Sequence, residues 1–227
     1  MSSPHLIPVT IEVVQQALGA PLPGVAGQKK MAPQPRTGNV DRFVQPDDCR
    51  EAGVLLLLYP HTATVNGAEP ELHLVLTRRT EYPGVHSGQI SFPGGRREED
   101  EALEDTALRE TREEVGVLPG TIDVIGCLSS LYTPPSHFCI YPFVAFSPIR
   151  PDFRPDPQEV AELLETPVSL LLNPTVRKEE IWHFEKYGAR RVPFFEVYGH
   201  KVWGATAMIL SEFVTLLAGQ LSMRVVG

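Results

Sequence analysis

Residues 94–117 read GGRREEDEALEDTALRETREEVGV. A glycine pair opens the stretch, Gly116 closes it, and the residues between carry the spacing of one helix, because glycine suits a helix C-terminus. Nine acids fall between Glu98 and Glu114: Glu98, Glu99, Asp100, Glu101, Glu104, Asp105, Glu110, Glu113 and Glu114. A helix turns about 100° per residue, so Glu110, Glu113 and Glu114 share one arc of about a quarter turn. Ala107, Leu108, Thr111 and Val115 occupy the neighbouring arc, which suits packing against a sheet. Like charges at these spacings destabilise a helix by a few tenths of a kcal/mol per pair. Two readings meet this cost: a solvated acidic face, or a stripe that a hard divalent cation binds through oxygen ligands. Arg109, four residues before Glu113, can clamp a carboxylate with its planar fork.

Upstream, Val54–Tyr59 and Leu72–Thr77 read as two strands of a hairpin at the centre of a sheet, joined by a loop carrying Asn66-Gly67. Downstream, Ile122–Tyr132 and Cys139–Phe146 read as strands around the turn Thr133-Pro134-Pro135-Ser136-His137, followed by a short helix starting over Glu159–Leu164. Ile181–Phe184 and Phe194–Tyr198 are further strands, and an apolar helix spans Ala205–Leu217. At the front, Ile11, Val13, Val14, Ala17 and Leu18 have helical spacing, with Thr10 as cap and Gly19 as stop. The Pro- and Gly-rich stretch 21–38 suits an extended arm or partly mobile loop better than a packed element. Strands mixed with separated helices predict an α+β fold of layered α/β/α type. The division is a helix and arm over 1–48, then one domain over 49–227 that ends in the C-terminal helix.

The 227 residues are 42 % apolar, enough to bury a sizeable core. Twenty Lys and Arg against 28 Asp and Glu give a net charge of −8, which leaves no broad basic face for a nucleic-acid backbone. The longest continuous apolar run, Val54–Tyr59, is far short of the roughly 20 residues that cross a bilayer. Met1–Thr10 lacks a basic start followed by an apolar stretch, so the chain reads as soluble and unexported. Cys49, Cys127 and Cys139 have no Cys-x-x-Cys spacing, which speaks against a disulfide framework or thiolate zinc site and for a reducing cytoplasm. No histidine pair has metal-ligand spacing. Gly94-Gly95 lacks the Gly-Lys-Ser/Thr ending of a phosphate-binding loop.

The pattern Gly95-x5-Glu101-x7-Arg109-Glu110-Thr111-Arg112-Glu113-Glu114-Val115-Gly116-Val117 resembles the Nudix box, the signature of hydrolases acting on nucleoside diphosphates linked to another group. Thr111 departs from it, since the family usually carries an aliphatic residue there. The resemblance implies a Nudix fold, a loop–helix–loop on a mixed β-sheet between helices. It further implies Mg²⁺ or Mn²⁺ held by Glu110, Glu113 and Glu114 with the Gly95 carbonyl, while Glu101 and Arg109 orient the helix. A further catalytic glutamate would come from a later loop, with Glu159 the first choice and Glu162 the second. An ordinary acidic first turn of a helix is the alternative for both.

Leu76-Thr77-Arg78-Arg79-Thr80, Gly88–Gly95, Tyr132–Phe138 with Pro142-Phe143-Val144, and Val202–Ala207 resemble the coenzyme A pyrophosphatase branch. That likeness implies coenzyme A as substrate, contacted by Arg78, Arg79, His86 and Gln89. Gly84 stands where the branch carries arginine, so another cation must serve: Arg78, Arg79, Lys29, Lys30 or Arg36. Trp203 and Phe92 read as core or loop anchors rather than base-stacking platforms. The competing readings are a Nudix hydrolase of ADP-ribose or NADH, and a non-catalytic nucleotide-binding module.

Overall fold

A computed structural model of the chain describes residues 9–34, 44–61, 70–81, 88–185 and 188–226. The hairpin read from the apolar runs forms as β1 (Arg50–His61) and β2 (Glu71–Arg79), paired antiparallel from Leu58↔Leu74 to His61↔Glu71. Asn66-Gly67 lies outside the described residues. β1 also runs parallel to β7 (Phe138–Phe146), which makes it the central strand of a mixed sheet. Around it stand β3 (Ile90–Ser91), β4 (Gly94–Arg96), β5 (Asp123–Cys127), β6 (Leu131–Thr133) and β8 (Val160–Pro167). The backbone order is β3-β2-β1-β7-β5, with β4 on β1, β6 on β7 and β8 on β2. A second, antiparallel sheet has the order β11-β10-β9, with β9 (Arg177–Phe184), β10 (Gly188–Val197) and β11 (His200–Val202).

Strand alternation divides the core in two. Leu55, Leu57, Tyr59 and Val75 face α3 (Leu103–Val115), which buries Ala107 and Val115 against them. Leu56, Leu58, Leu74 and Leu76 face the opposite way, toward α5 (Gly204–Val226) and α1 (Ile11–Leu18). This is the expected sheet between helices. α3 ends where the sequence predicts, with Gly116 at φ +77°, a left-handed conformation that costs glycine nothing. By length and composition Gly204–Met223 is apolar enough to cross a membrane; here Ala207, Leu210, Phe213, Val214 and Leu217 are all fully buried against the core.

Four expectations are corrected. Glu159–Leu164 begins no helix: the stretch enters β8 and pairs with β2 from His73↔Pro167 to Arg79↔Val160. Val160, Leu163 and Leu164 have helical spacing, but the open edge of β2 supplies hydrogen-bond partners that a short helix would not have. Ile122–Tyr132 is two strands, interrupted at 128–130, where the Ser129 N–H donates to the Glu212 carboxylate instead of a neighbouring strand. The described part of the Pro- and Gly-rich stretch, residues 21–34, is not an extended arm. It folds into α2 (Val25–Gln28) and a short 3₁₀ turn, Lys29–Met31, with Gln28 and Met31 buried. Its anchor is Glu212 of α5, fully buried, which accepts the Gly24 N–H at 3.1 Å, the Ser129 N–H at 3.1 Å and Gln28 Nε2 at 2.9 Å. Finally, Cys49 and Cys139 are disulfide-bonded, joining the starts of β1 and β7. Cys127 is free, and the cysteine count no longer speaks for a reducing compartment. A short helix, α4 (Val168–Leu172), follows β8 directly.

Candidate active site

α3 presents its carboxylates at the edge where β4 enters the sheet. Thr111 is buried and turns its hydroxyl back to the Ala107 carbonyl at 2.7 Å, so its methyl can fill an aliphatic position. Arg109 organises the polar side. Its Nε and Nη2 reach the two Glu101 oxygens at 2.8 and 3.2 Å, and Nη1 reaches Glu110 at 2.8 Å and Glu113 at 3.1 Å. The hydrogen bonds from Arg109 hold Glu101 down at about 2 despite partial burial. Glu101 also accepts from the Thr106 hydroxyl at 2.8 Å, which ties the loop to the first turn of α3.

Glu114 is the buried member of the stripe, and Glu110 is partly buried. Burial pushes the Glu110 carboxyl up, against the opposing pull of Arg109. Glu114 is 3 % exposed, and burial raises it to about 8. Two groups offset that burial in part: the Arg79 guanidinium, with Nη1 at 3.7 Å, and the Gly94 N–H at 3.3 Å. Glu113 is 58 % exposed. Gly95 lies beneath Glu110 so closely that a Cβ there would sit 2.3–2.5 Å from the carboxyl atoms. Gly95 therefore clears a cradle for the Glu110 carboxylate at the backbone, while Gly94 lets β4 pack closely on Gly53 and Val54 of β1.

Among the described residues, no three His, Cys, Asp or Glu side chains stand in an arrangement that would hold a metal ion. In this arrangement Arg109 stands between Glu110 and Glu113, and Arg79 faces Glu114. The donor chemistry nonetheless fits a hard cation. Two carboxylates raised by burial and a cradle floored by glycine backbone offer oxygen ligands whose charge is under-compensated.

Glu159 is exposed in the turn before β8, and its charge contributes to raising both Glu110 and Glu114. Its carbonyl accepts the Thr80 N–H at 3.0 Å, which fixes the turn beside the end of β2. Glu162 is engaged elsewhere, 3.0 Å from Arg78 and 3.3 Å from His200. The adjacent arginines therefore part company. Arg79 turns to the α3 side and faces Glu114, whereas Arg78 turns to the α5 side and joins β2 to the second sheet through Glu162 and His200. Among the described residues, Arg79 Nε is buried without a hydrogen-bond partner. The Gln89 carbonyl accepts the Arg79 backbone N–H at 3.0 Å, which seats Gln89 next to it. His86, Gly84 and Arg36 lie outside the described residues. Lys30 donates to Thr215 of α5 at 3.0 Å, so it and the adjoining Lys29 belong to the face opposite α3.

Phe92 is a core residue, as expected. Trp203 is partly exposed and lies against Trp182 and Phe184, residues that sequence reasoning passed over. The apolar cluster Ile181, Trp182 and Phe184 was the available signal for β9; which rings meet is set by cross-strand register.

The family described as NUDIX domain matches residues 60–185. The chain is 34 % identical over 177 residues to an uncharacterized Nudix hydrolase, NudL, of Pectobacterium atrosepticum, covering 77 % of this chain and 84 % of that one. It is 35 % identical over 149 residues to the human mitochondrial coenzyme A diphosphatase NUDT8, covering 64 % of this chain and 62 % of that one. It is 30 % identical over 206 residues to Nudix hydrolase 15, mitochondrial, of Arabidopsis thaliana, covering 86 % of this chain. It spans 66 % of that relative's length and 55 % of the Arabidopsis Nudix hydrolase 22, chloroplastic. Among solved structures, a Nudix hydrolase from M. smegmatis, RenU, superposes with a TM-score of 0.50 at 14 % identity, covering 77 % of this chain and 87 % of that one; this likeness concerns the fold alone.

Proposed function

Because the chain belongs to the Nudix family, we propose that it is a metal-dependent pyrophosphohydrolase that cuts the diphosphate of coenzyme A into 4′-phosphopantetheine and adenosine 3′,5′-bisphosphate. The observation that carries this reading is the carboxylate pair Glu110 and Glu114, both raised by burial, with the Arg79 guanidinium facing Glu114 at 3.7 Å. A diphosphate resists hydrolysis because its negative charge repels nucleophiles, so the site must supply positive charge and an aligned water. Glu110, Glu113 and Glu114 with the Gly95 carbonyl would hold Mg²⁺ or Mn²⁺, which supplies charge at the diphosphate and lowers the pKa of a bound water.

The remaining work falls to the chain's own groups. Arg79 offers the donors that Glu114 leaves unused to the diphosphate oxygens, and so takes the place left by Gly84. Arg109 keeps Glu110 and Glu113 in fixed rotamers through its grip on Glu101. Water oxygen forms a bond to phosphorus, the bridging P–O bond breaks toward the other phosphate, and the exposed Glu159 carboxylate takes the water proton. Arg78, held by Glu162, has a positioning role between the sheets. The choice of coenzyme A is supported by the flanking motifs and by the likeness to a coenzyme A diphosphatase.

Turnover of coenzyme A, ADP-ribose and NADH, each with Mg²⁺, tests the reading. The highest kcat/KM is expected for coenzyme A. A preference for ADP-ribose or NADH would move the substrate assignment to another nucleoside diphosphate derivative. No turnover of any of the three would favour a non-catalytic nucleotide-binding module.

A further inference from the structure

Residues 152–159 lead into β8 without forming a strand or a helix, yet their backbone is tied on two sides to residues of the carboxylate cleft. The Arg154 N–H donates to the Val115 carbonyl at 2.8 Å, and the Asp156 N–H donates to the Glu114 carbonyl at 2.9 Å. Carbonyls in the last turn of a helix have no partner within it, so this segment caps α3. Gly116 makes room for the approach: a Cβ there would lie 2.8 Å from the Arg154 Cβ.

Asp156 then turns the chain. Its carbonyl accepts the Glu159 N–H at 3.1 Å and the Val160 N–H at 2.8 Å, and its carboxylate oxygen Oδ1 accepts the Gln158 N–H at 2.8 Å. The result is a single helical turn closed by an aspartate side chain, which fixes the direction of the chain through Glu159. Thr80, at the end of β2, forms the other wall. Its hydroxyl donates to the Gln158 carbonyl at 2.9 Å, and its N–H donates to the Glu159 carbonyl at 3.0 Å. Thr80 directly follows Arg79, whose guanidinium faces Glu114. The contacts therefore close a ring, from Glu114 to Asp156, on to Glu159, across to Thr80 and back through Arg79 to Glu114. Both backbone polar groups of Glu159 are bonded in it, while the residue is exposed and its charge acts on Glu110 and Glu114. An exposed turn with few apolar contacts opens easily unless such bonds hold it. Two side-chain oxygens do so here, Asp156 Oδ1 and Thr80 Oγ1.

We propose that Asp156 and Thr80 are positioning residues that hold Glu159 at the carboxylate stripe. The proposal rests on the hydrolase reading, in which Glu159 takes the water proton, and names the two side chains that set its place. A general base works only within reach of the proton it removes, and a misplacement of about 1 Å can cost on the order of 10²-fold in rate. Both residues act through Glu159 and not on the substrate.

Paired kinetics separate positioning from mere support. Glu159→Gln is expected to lower kcat about 10²-fold. Asp156→Ala is expected to lower it roughly tenfold with KM nearly unchanged, and Asp156→Asn, which keeps an acceptor for Gln158, to restore most of it. Thr80→Val and Thr80→Ser should behave as the same pair of loss and rescue. In the Glu159→Gln background, Asp156→Ala should cost less than about twofold more, because no base is left to misplace. Amide hydrogen exchange in EDTA needs no turnover. In Asp156→Ala the Thr80 and Val160 amides are expected to exchange at least about tenfold faster, while Ala107 and Thr111 of α3 keep their protection. A near-normal kcat in Asp156→Ala, or the same loss in both backgrounds, overturns the positioning role and leaves hydrolysis intact. Unchanged exchange at Thr80 and Val160 overturns it as well. A normal kcat in Glu159→Gln removes the base, and the proposal with it. Should the parent hydrolyse none of coenzyme A, ADP-ribose and NADH, the hydrolase reading falls, while faster exchange in Asp156→Ala upholds the grip on Glu159.

Discussion

Two carboxylates are buried on opposite faces of the same sheet, Glu114 on α3 and Glu212 on α5, and the chain serves them in opposite ways. Glu212 accepts three N–H donors, all within 3.1 Å, from two distant segments. Glu114 has one backbone donor at 3.3 Å and an arginine no nearer than 3.7 Å. A buried charge costs several kcal/mol unless it is hydrogen-bonded or paired. At Glu212 the protein meets that cost internally and gains a clamp. At Glu114 it leaves the cost standing, which makes sense for a group whose partner arrives from solution.

The largest contrast is in activity. Glu114→Gln keeps the shape and removes the charge, and is expected to lower kcat by about 10²- to 10³-fold, the range for a group stabilising transition-state charge, while circular dichroism stays unchanged. Near-normal turnover at saturating Mg²⁺ would remove Glu114 from the chemistry. Glu212→Ala should do the reverse. Orphaning three donors costs ~3 kcal/mol, a fall in Tm of roughly 6–12 °C for a chain of this size. Turnover per folded molecule should persist at low temperature, and a variant as stable as the parent would break the contrast.

A smaller effect sharpens it. Millimolar Mg²⁺ or Mn²⁺ is expected to raise Tm by a few degrees in the parent and in Glu212→Ala, by mass action on the folded state, but not in Glu114→Gln. The same shift in all three proteins would mean that the ion binds elsewhere. The smallest effect is the pH slope in EDTA. The Glu114 carboxyl sits at about 8 when folded, above the roughly 4.3 of an unfolded chain, so between those values the folded state keeps a proton that the unfolded state has lost. Its contribution is therefore favourable below about 4.3 and is lost progressively as pH rises toward 8, by no more than about 1.4 kcal/mol per pH unit. Denaturant titrations at pH 5 and pH 8 should show Glu114→Gln gaining on the parent at the higher pH. Parallel curves would place Glu114 in a better-solvated setting.

How far the sequence was legible follows the range of the forces involved. α3 and its stripe could be read because helical period and capping are local, and Gly116 ends the helix where it stands. The apolar runs of β1 and β2 were legible for the same reason. β8 was misread because helical spacing at Val160, Leu163 and Leu164 competes with an edge of β2 contributed from about 85 residues earlier, an order of separation at which local pattern says nothing. The parting of Arg78 and Arg79 depends on which face of β2 each side chain takes, and α2 depends on a carboxylate 184 residues away. Trp182 could not be matched to Trp203 before the register of the second sheet was known.

The Glu212 clamp also has a consequence in time. Its donors at Gly24 and Gln28 are made early and their acceptor 188 and 184 residues later. At about 5–20 residues per second a nascent chain spends on the order of tens of seconds with the N-terminal segment synthesised and its anchor not yet in existence. During that interval Val13, Val14, Ala17 and Met31, all buried in the finished fold, have no α5 to cover them. Assembly on the ribosome is therefore open-ended: the sheet and α3 can form first, and the segment from Gly24 to Gln28 is locked in place only when α5 emerges.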